Sequence, residues 1–272
     1  MLNEQQLNRL MDKLNVPEEG RSIIQKIRTS GPVRNVEGRA GNVACRYASK
    51  KMGVTIQAES HQNELAAIYI WEHDANTFEF YDQPAQVKMT YKRANGRRAA
   101  HMTVPDFFII QENFIGWVEC KPEEWLIQKE KEKSPLFCRN QERKWVCLPG
   151  KEYAAQFGLG FELRSSSENE STHIRNLKFL SDYWDQEIPT EHAAGLAALL
   201  ARLREEKTMK QAEILHDPDL GGADVLHYAI AHELVYVDVF QQLLSEPHFT
   251  DVYVSKEVAS ILRKAATTVS SS

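Results

Sequence analysis

No stretch of this chain stays apolar for the ~20 residues that crossing a bilayer requires. Its opening residues, Met1-Leu2-Asn3-Glu4, lack the basic and apolar regions of a secretion signal. The expectation is a cytoplasmic protein without a membrane partner. Cysteine is scarce, with only Cys45, Cys120, Cys138 and Cys147. These fit neither paired zinc spacing nor a dense disulfide scaffold, which leaves scattered reduced thiols. An excess of positive charge is also missing. The net charge is −5, so any nucleic-acid contact must come from local patches. The histidines show no metal-ligand spacing: His227 and His232 are five apart, and His192 and His216 are isolated. Ser165–Ser167 has no GxSxG context, which argues against a serine nucleophile. Gly158-Leu-Gly160 precedes a strand rather than a helix, so it is not a phosphate-binding loop.

What the chain does contain is concentrated between Val104 and Lys121. Val-Pro-Asp106-Phe-Phe-Ile-Ile leads into a polar turn at Gln111-Glu112-Asn113, and Gly-Trp-Val-Glu119-Cys-Lys121 follows. Two apolar runs about a polar turn read as an antiparallel hairpin. Two-residue spacing on a strand puts Glu119 and Lys121 on one face. A carboxylate such as Asp106 beside Phe107–Ile110 needs a partner, and a metal ion is one. Acids and an amine aimed into one cleft are the components of a metal-dependent phosphodiesterase site. Mg²⁺, with Mn²⁺ substituting, prefers oxygen ligands, so a third acid is needed. Glu64, in the first turn of a helix expected over 60–74 and capped by Ser60, is the candidate, with Glu59 a weaker one. Glu64, Asp106 and Glu119 would hold the metal, with the backbone carbonyl of Cys120 as an additional ligand and its thiol in the core. Lys121 would orient the nucleophile or stabilise the charge that develops at phosphorus.

Other elements are coarser. Residues 4–15 read as a helix through Leu7, Leu10, Met11 and Leu14, ended by Pro17 and Gly20. Short β-prone pieces at 43–47 and 54–56, strands at 78–81 and 87–91, a helix at 153–157 and a strand at 158–164 follow. Residues 165–172 read as a loop and 267–272 as a disordered tail. From about Ile188 the composition becomes helix-rich: helices at 191–204, 209–216 and 223–234 precede β-prone runs at 235–239 and 251–254. Three helices and then two strands is the order of a winged-helix domain, which divides the chain into 1–187 and 188–272.

Two basic runs could contact phosphate. Lys92, Arg93, Arg97 and Arg98 stand in a loop with no acid among them and are the DNA-binding candidates. The run from Lys129 to Lys144 alternates with Glu130, Glu132 and Glu142, so its field is weak.

In order and spacing these pieces resemble the TnsA-type endonuclease subunit of heteromeric cut-and-paste bacterial transposases. Gln62-Asn63-Glu64-Leu65-Ala66, Thr103-Val-Pro-Asp106-Phe and Val118-Glu119-Cys-Lys121 are similar to that family's catalytic motifs, and Thr29-Ser-Gly31, Arg34 and Gly38-Arg39 to the stretch ahead of them. The resemblance implies an α/β restriction-endonuclease-like PD-(D/E)xK core, a mixed sheet flanked by helices, with an N-terminal helical extension and a winged-helix-like C-terminal domain. It implies that Glu64, Asp106 and Lys121 are catalytic and that Glu119 is a further metal ligand. The implied activity is Mg²⁺-dependent cutting of the 5′-end strands of a transposon. The implied partners are double-stranded DNA at the transposon ends, an integrase-fold (DDE) transposase and an AAA+ regulator ATPase. A stand-alone restriction or defence nuclease, and a non-catalytic DNA- or protein-binding adaptor, are the alternative readings.

Overall fold

The computed structural model describes residues 1–34, 44–93, 95–184 and 187–269. Gly38-Arg39 and the last three residues of the 267–272 tail therefore lie outside the described residues. The chain divides into two compact units, Met1–Asn169 and Glu170–Ser272. No described helix is long and apolar enough to cross a membrane.

Unit 1 opens with helices α1 (Glu4–Lys13) and α2 (Glu18–Thr29). Asn3 caps α1 reciprocally: its side chain accepts from the Gln6 N–H and the Gln6 side chain accepts from the Asn3 N–H. Leu7, Leu10 and Met11 are its buried face. The sequence reading gives α2 no element, because its apolar content is three isoleucines set among charges. Its ends suit a helix all the same: Glu18 and Glu19 in the first turn and Lys26 and Arg28 in the last complement the helix dipole.

The remaining elements of unit 1 are β1 (Cys45–Ser49), β2 (Val54–Ala58), α3 (Glu64–His73), β3 (Thr77–Asp82), β4 (Val87–Lys92), β5 (Arg98–Thr103), β6 (Phe107–Gln111), β7 (Phe114–Lys121), α4 (Glu123–Lys131), β8 (Phe137–Arg139), β9 (Trp145–Cys147), α5 (Leu148–Ala155) and β10 (Gly160–Ser165). The central sheet has the order β10-β7-β6-β3, with β7–β6 and β6–β3 antiparallel and β10–β7 parallel. Its two central strands, β6 and β7, are apolar on both faces, as strands covered on both sides require. Phe107, Ile109, Val118 and Cys120 pack with Leu65, Ile68 and Trp71 of α3. Phe108, Ile110, Trp117 and Phe161 pack with Leu7, Met11, Ile24 and Ile27 of α1 and α2. The fold is thus α/β, with a mixed sheet flanked by helices.

Two contacts fix this arrangement. Glu79 of β3 is fully buried and accepts from Arg28 Nε at 2.9 Å, from Arg28 Nη2 at 3.0 Å and from the Leu2 N–H at 2.8 Å, tying the helical pair to the sheet. Gly116 and Gly160 face each other across β7 and β10, where a Cβ at Gly116 would fall 2.1 Å from the Gly160 carbonyl oxygen. Only glycine permits that approach.

Several expectations need correction here. The basic loop is a two-stranded antiparallel ribbon of β4 and β5, and only its tip is a loop. The helix expected at 153–157 runs from Leu148 to Ala155. Ser60 caps no helix: its Oγ accepts from the Asn63 N–H at 3.2 Å, one turn ahead of the α3 N-terminus.

Unit 2 contains α6 (Ser171–Phe179), α7 (Ala193–Glu206), β11 (Thr208–Lys210), α8 (Gln211–His216), α9 (Gly222–Ala231), β12 (Asp251–Tyr253) and α10 (Lys256–Val269). Its beginning lies ahead of the expected boundary at 187/188 because α6 belongs to it. Asn176 Nδ2 donates to the Val239 and Gln242 carbonyls at 2.8 and 2.7 Å, and its Oδ1 accepts from the Leu244 N–H at 3.0 Å. Leu180 joins the core of Leu199, Leu203, Val225 and Leu226. The stretch read as a loop over 165–172 already contains a turn of 3₁₀ helix (Ser166–Glu168) and the start of α6. Val235–Val239 forms no strand: Tyr236 bridges Tyr253, and the chain then turns with the Gln241 and Gln242 N–H groups on the Asp238 carbonyl. β11 pairs antiparallel with β12, and residues 267–269 of the expected tail continue α10.

Candidate active site

The β6–β7 register sets Phe107 opposite Val118, which carries Asp106 to the strand end beside Glu119. Asp106 is buried there. Its Oδ2 accepts the Cys120 N–H at 2.8 Å, and its carbonyl accepts the Gln83 N–H at 2.9 Å. The next residue along β7 on the same face is Lys121. Its Nζ lies 2.5 Å from Glu119 Oε1 and 3.9 Å from Asp106 Oδ2. Glu64 approaches from α3, where it is the first helical residue. It is buried, and its Oε2 accepts the Glu59 N–H at 2.8 Å. Cys120 keeps its thiol in the core beneath α3, as expected for a residue between two of opposite facing.

These four side chains line one cleft of about 550 Å³, together with Glu59, Ser60, Asn63, Arg34 and the stretch from Met102 to Val104. Glu59 pairs with Arg34 at 3.1 Å, so its carboxylate is already engaged at the rim.

The electrostatics follow from burying three acids and one base together. Burial raises the carboxyl of Glu64 to about 7, helped by the charges of Glu59 and Glu119 and opposed by the Glu59 N–H and Lys121. Burial also pushes Asp106 well above the usual carboxylate range, and Glu119 and Glu64 add to the shift against Lys121 and the Cys120 N–H. For Lys121, burial favours the neutral amine, but the charges of Asp106 and Glu119 outweigh it and raise the pKa. Lys121 therefore keeps its ammonium among these buried acids.

Whether these residues suit a divalent metal rests on their donor chemistry. Glu119 Oε2 is buried without a hydrogen-bond partner, an orphan oxygen of the kind a cation satisfies. The buried carboxylates of Glu64, Asp106 and Glu119 are hard oxygen donors suited to Mg²⁺ or Mn²⁺. Among the described residues no group of three or more His, Cys, Asp or Glu is arranged to hold a metal ion. Glu119 Oε1 is held by Lys121 instead.

The basic candidates sit on the ribbon whose base enters this cleft. Lys92, Arg93, Arg97 and Arg98 are exposed at its tip, and none has an ion-pair partner among the described residues. Lys92 pairs with Arg98 and Lys88 with Met102 in the ribbon register, so Lys88, Lys92 and Arg98 share one face with Met102 at the cleft. The period-two spacing of Lys88, Thr90 and Lys92 is the sequence signal for that face. In the second basic run, Lys129 pairs with Glu132, Arg139 with Glu123 and Lys144 with Glu142.

One hub has no counterpart in the sequence reading. Glu123, at the start of α4, accepts from Trp145 Nε1 at 2.7 Å, Arg139 Nη2 at 2.9 Å, Ser167 Oγ at 3.1 Å and Ser165 Oγ. The only local signal is an acid directly after Pro122 at a helix start.

Compared with protein-family models and with curated proteins, the sequence matches none.

Proposed function

We propose that unit 1 is a metal-dependent DNA endonuclease of the PD-(D/E)xK type, and that the chain works as the 5′-strand-cutting subunit of a transposase. The observation that carries the nuclease reading is the meeting of Glu64, Asp106, Glu119 and Lys121 in one cleft, from a helix and the ends of two paired strands. The mixed sheet beneath them and the cationic ribbon beside them support it.

Glu64, Asp106 and Glu119 would hold the cation, with the Cys120 carbonyl as a further ligand, and a bound cation supplies polarisation of the phosphate and a more acidic water. The chain's own residues do the rest. Lys121 Nζ remains protonated and can donate to a non-bridging phosphate oxygen, stabilising negative charge as it grows. Glu119 Oε1 fixes where that ammonium points. Glu64 and Asp106 hold protons more tightly than exposed carboxyls, so cation binding must release them. Lys88, Lys92, Arg93, Arg97 and Arg98 would track the duplex backbone beyond the cleft.

The placement in a transposase rests on the order of motifs and on unit 2. There α7, β11, α8, α9 and β12 run in a sequence compatible with a winged-helix-like domain. DNA ends, an integrase-fold transposase and an AAA+ ATPase are the partners this reading requires, in the cytoplasm.

The test is nicking of end-bearing DNA with Mg²⁺, with and without the partner transposase. Cleavage that needs the partner supports the full reading. Cleavage of plain duplex by the chain alone supports a stand-alone nuclease. A chain that assembles with its partner and leaves both 5′ strands intact sinks the enzymatic reading.

A further inference from the structure

Unit 1 carries a second concavity, of about 450 Å³, formed by the β8–β9 hairpin against β10. In a chain of net charge −5 its walls are cationic: Arg139, Arg143, Lys144 and Lys151 stand against Glu162 and Glu168. With Arg139 neutralised by Glu123, three cations against two carboxylates leave an excess of one positive charge, enough to balance a phosphodiester.

The cations differ in availability. Arg139 is spoken for, held by Glu123 at 2.9 Å and lying 4.0 Å over the Trp145 ring. Lys144 pairs with Glu142 only where both side chains are mostly exposed, a contact that a better anion displaces at little cost. Arg143 and Lys151 are exposed and have no ion pair among the described residues. The turn that carries Arg143 and Lys144 is held rigidly. The Arg143 N–H donates to the Asn140 carbonyl at 2.9 Å, the Lys144 N–H to Asn140 Oδ1 at 2.8 Å and the Asn140 N–H to the Lys144 carbonyl at 2.9 Å. The cations are thus presented on a stapled turn, which lowers the ordering cost of binding.

The position of this cleft matters as much as its charge. Ser165 lines it, and Ser165 pairs with Lys121 in the parallel β10–β7 register. Neighbouring strands lie about 4.8 Å apart. Each cleft thus takes one lining residue from a pair of adjacent strand ends, Lys121 in the cleft of the acids and Ser165 in the cleft of the cations.

We propose that the second cleft is a phosphate subsite, in which Arg143, Lys144 and Lys151 hold a phosphodiester of the DNA strand whose scissile bond lies at Lys121. The identity of that strand rests on the nuclease reading; affinity for phosphate rests on this cleft alone. Arginine offers a fork of donors that matches two phosphate oxygens, and the lysines add mobile point charges.

The experiment compares the full chain with its Arg143→Ala/Lys144→Ala/Lys151→Ala variant, using two probes. In the first arm both proteins also carry Asp106→Asn, so that DNA stays uncut, and duplex binding is measured across salt concentrations. The expected result is affinity about tenfold lower and a salt dependence shallower by roughly one or more phosphate contacts. In the second arm inorganic pyrophosphate is titrated calorimetrically into both proteins without DNA, and saturable binding should be lost in the variant. Unchanged binding of both probes by the variant overturns the proposal. Loss of pyrophosphate binding, in a protein that binds no duplex at all, keeps the phosphate subsite, assigns it to a small phosphate, and counts against the nuclease reading instead.

Discussion

Glu119 and Glu123 stand on either side of Pro122 and are used in opposite ways. Glu123 is saturated: Trp145, Arg139, Ser165 and Ser167 all donate to it, and those hydrogen bonds hold its pKa below the usual carboxylate range despite partial burial. Glu119 is buried with one oxygen on Lys121 and the other on nothing. A saturated acid ties elements together; an unsatisfied one is kept for something that arrives. On the proposed reading the contrast puts architecture on one side of the proline and chemistry on the other, and each side can be broken separately.

The largest expected effect is on catalysis. Lys121→Ala should lower single-turnover nicking by roughly 10³-fold, the scale for losing a donor aimed at developing charge, with the circular dichroism spectrum unchanged. A variant that cuts at the wild-type rate would place the chemistry elsewhere. Next comes the architectural side. Glu123→Ala strands the Trp145 Nε1–H and two serine hydroxyls, which should cost about 2 kcal/mol in urea unfolding. Glu119→Gln should cost far less, and equal losses in the two variants would erase the contrast.

Smaller still is the response to pH. Folded, Glu64 keeps its proton up to about 7; unfolded, it releases it near 4.5. The folded chain therefore binds the extra proton, so this contribution is complete below about 4.5 and is lost as pH rises through about 7. Without divalent metal, Glu64→Gln should match wild type near pH 4.5 and exceed its Tm by a few degrees above pH 7. Parallel Tm curves across that range would show that Glu64 titrates normally. The smallest effect belongs to the ribbon, where Arg98→Ala should weaken duplex binding with the salt slope reduced by roughly one.

The hairpin of the first cleft was legible because its signals are local. Phe107–Ile110 is an unbroken apolar run, as a strand buried on both faces demands, and Glu-x-Lys spacing fixes a shared face. Glu64 was legible as a first-turn acid, although its burial was not. Glu123 was hidden because its four donors come from 16 to 44 residues away along the chain, and no local pattern encodes partners that distant. β5 was hidden because Ala99, Ala100, His101 and Met102 show no apolar alternation on an exposed ribbon. At Val235–Val239 strand propensity misled, since the turn closed on Asp238 overrides it.

Pro122 is the sole residue between the last residue of β7 and the first of α4. Its ring fixes one of its two backbone torsions, so the junction has less freedom than any other one-residue link would have. The same helix also reaches Lys121 through a side chain, since the Lys121 ammonium lies 6.0 Å from the centre of the Trp125 ring, so strand end and helix start are tied to each other twice.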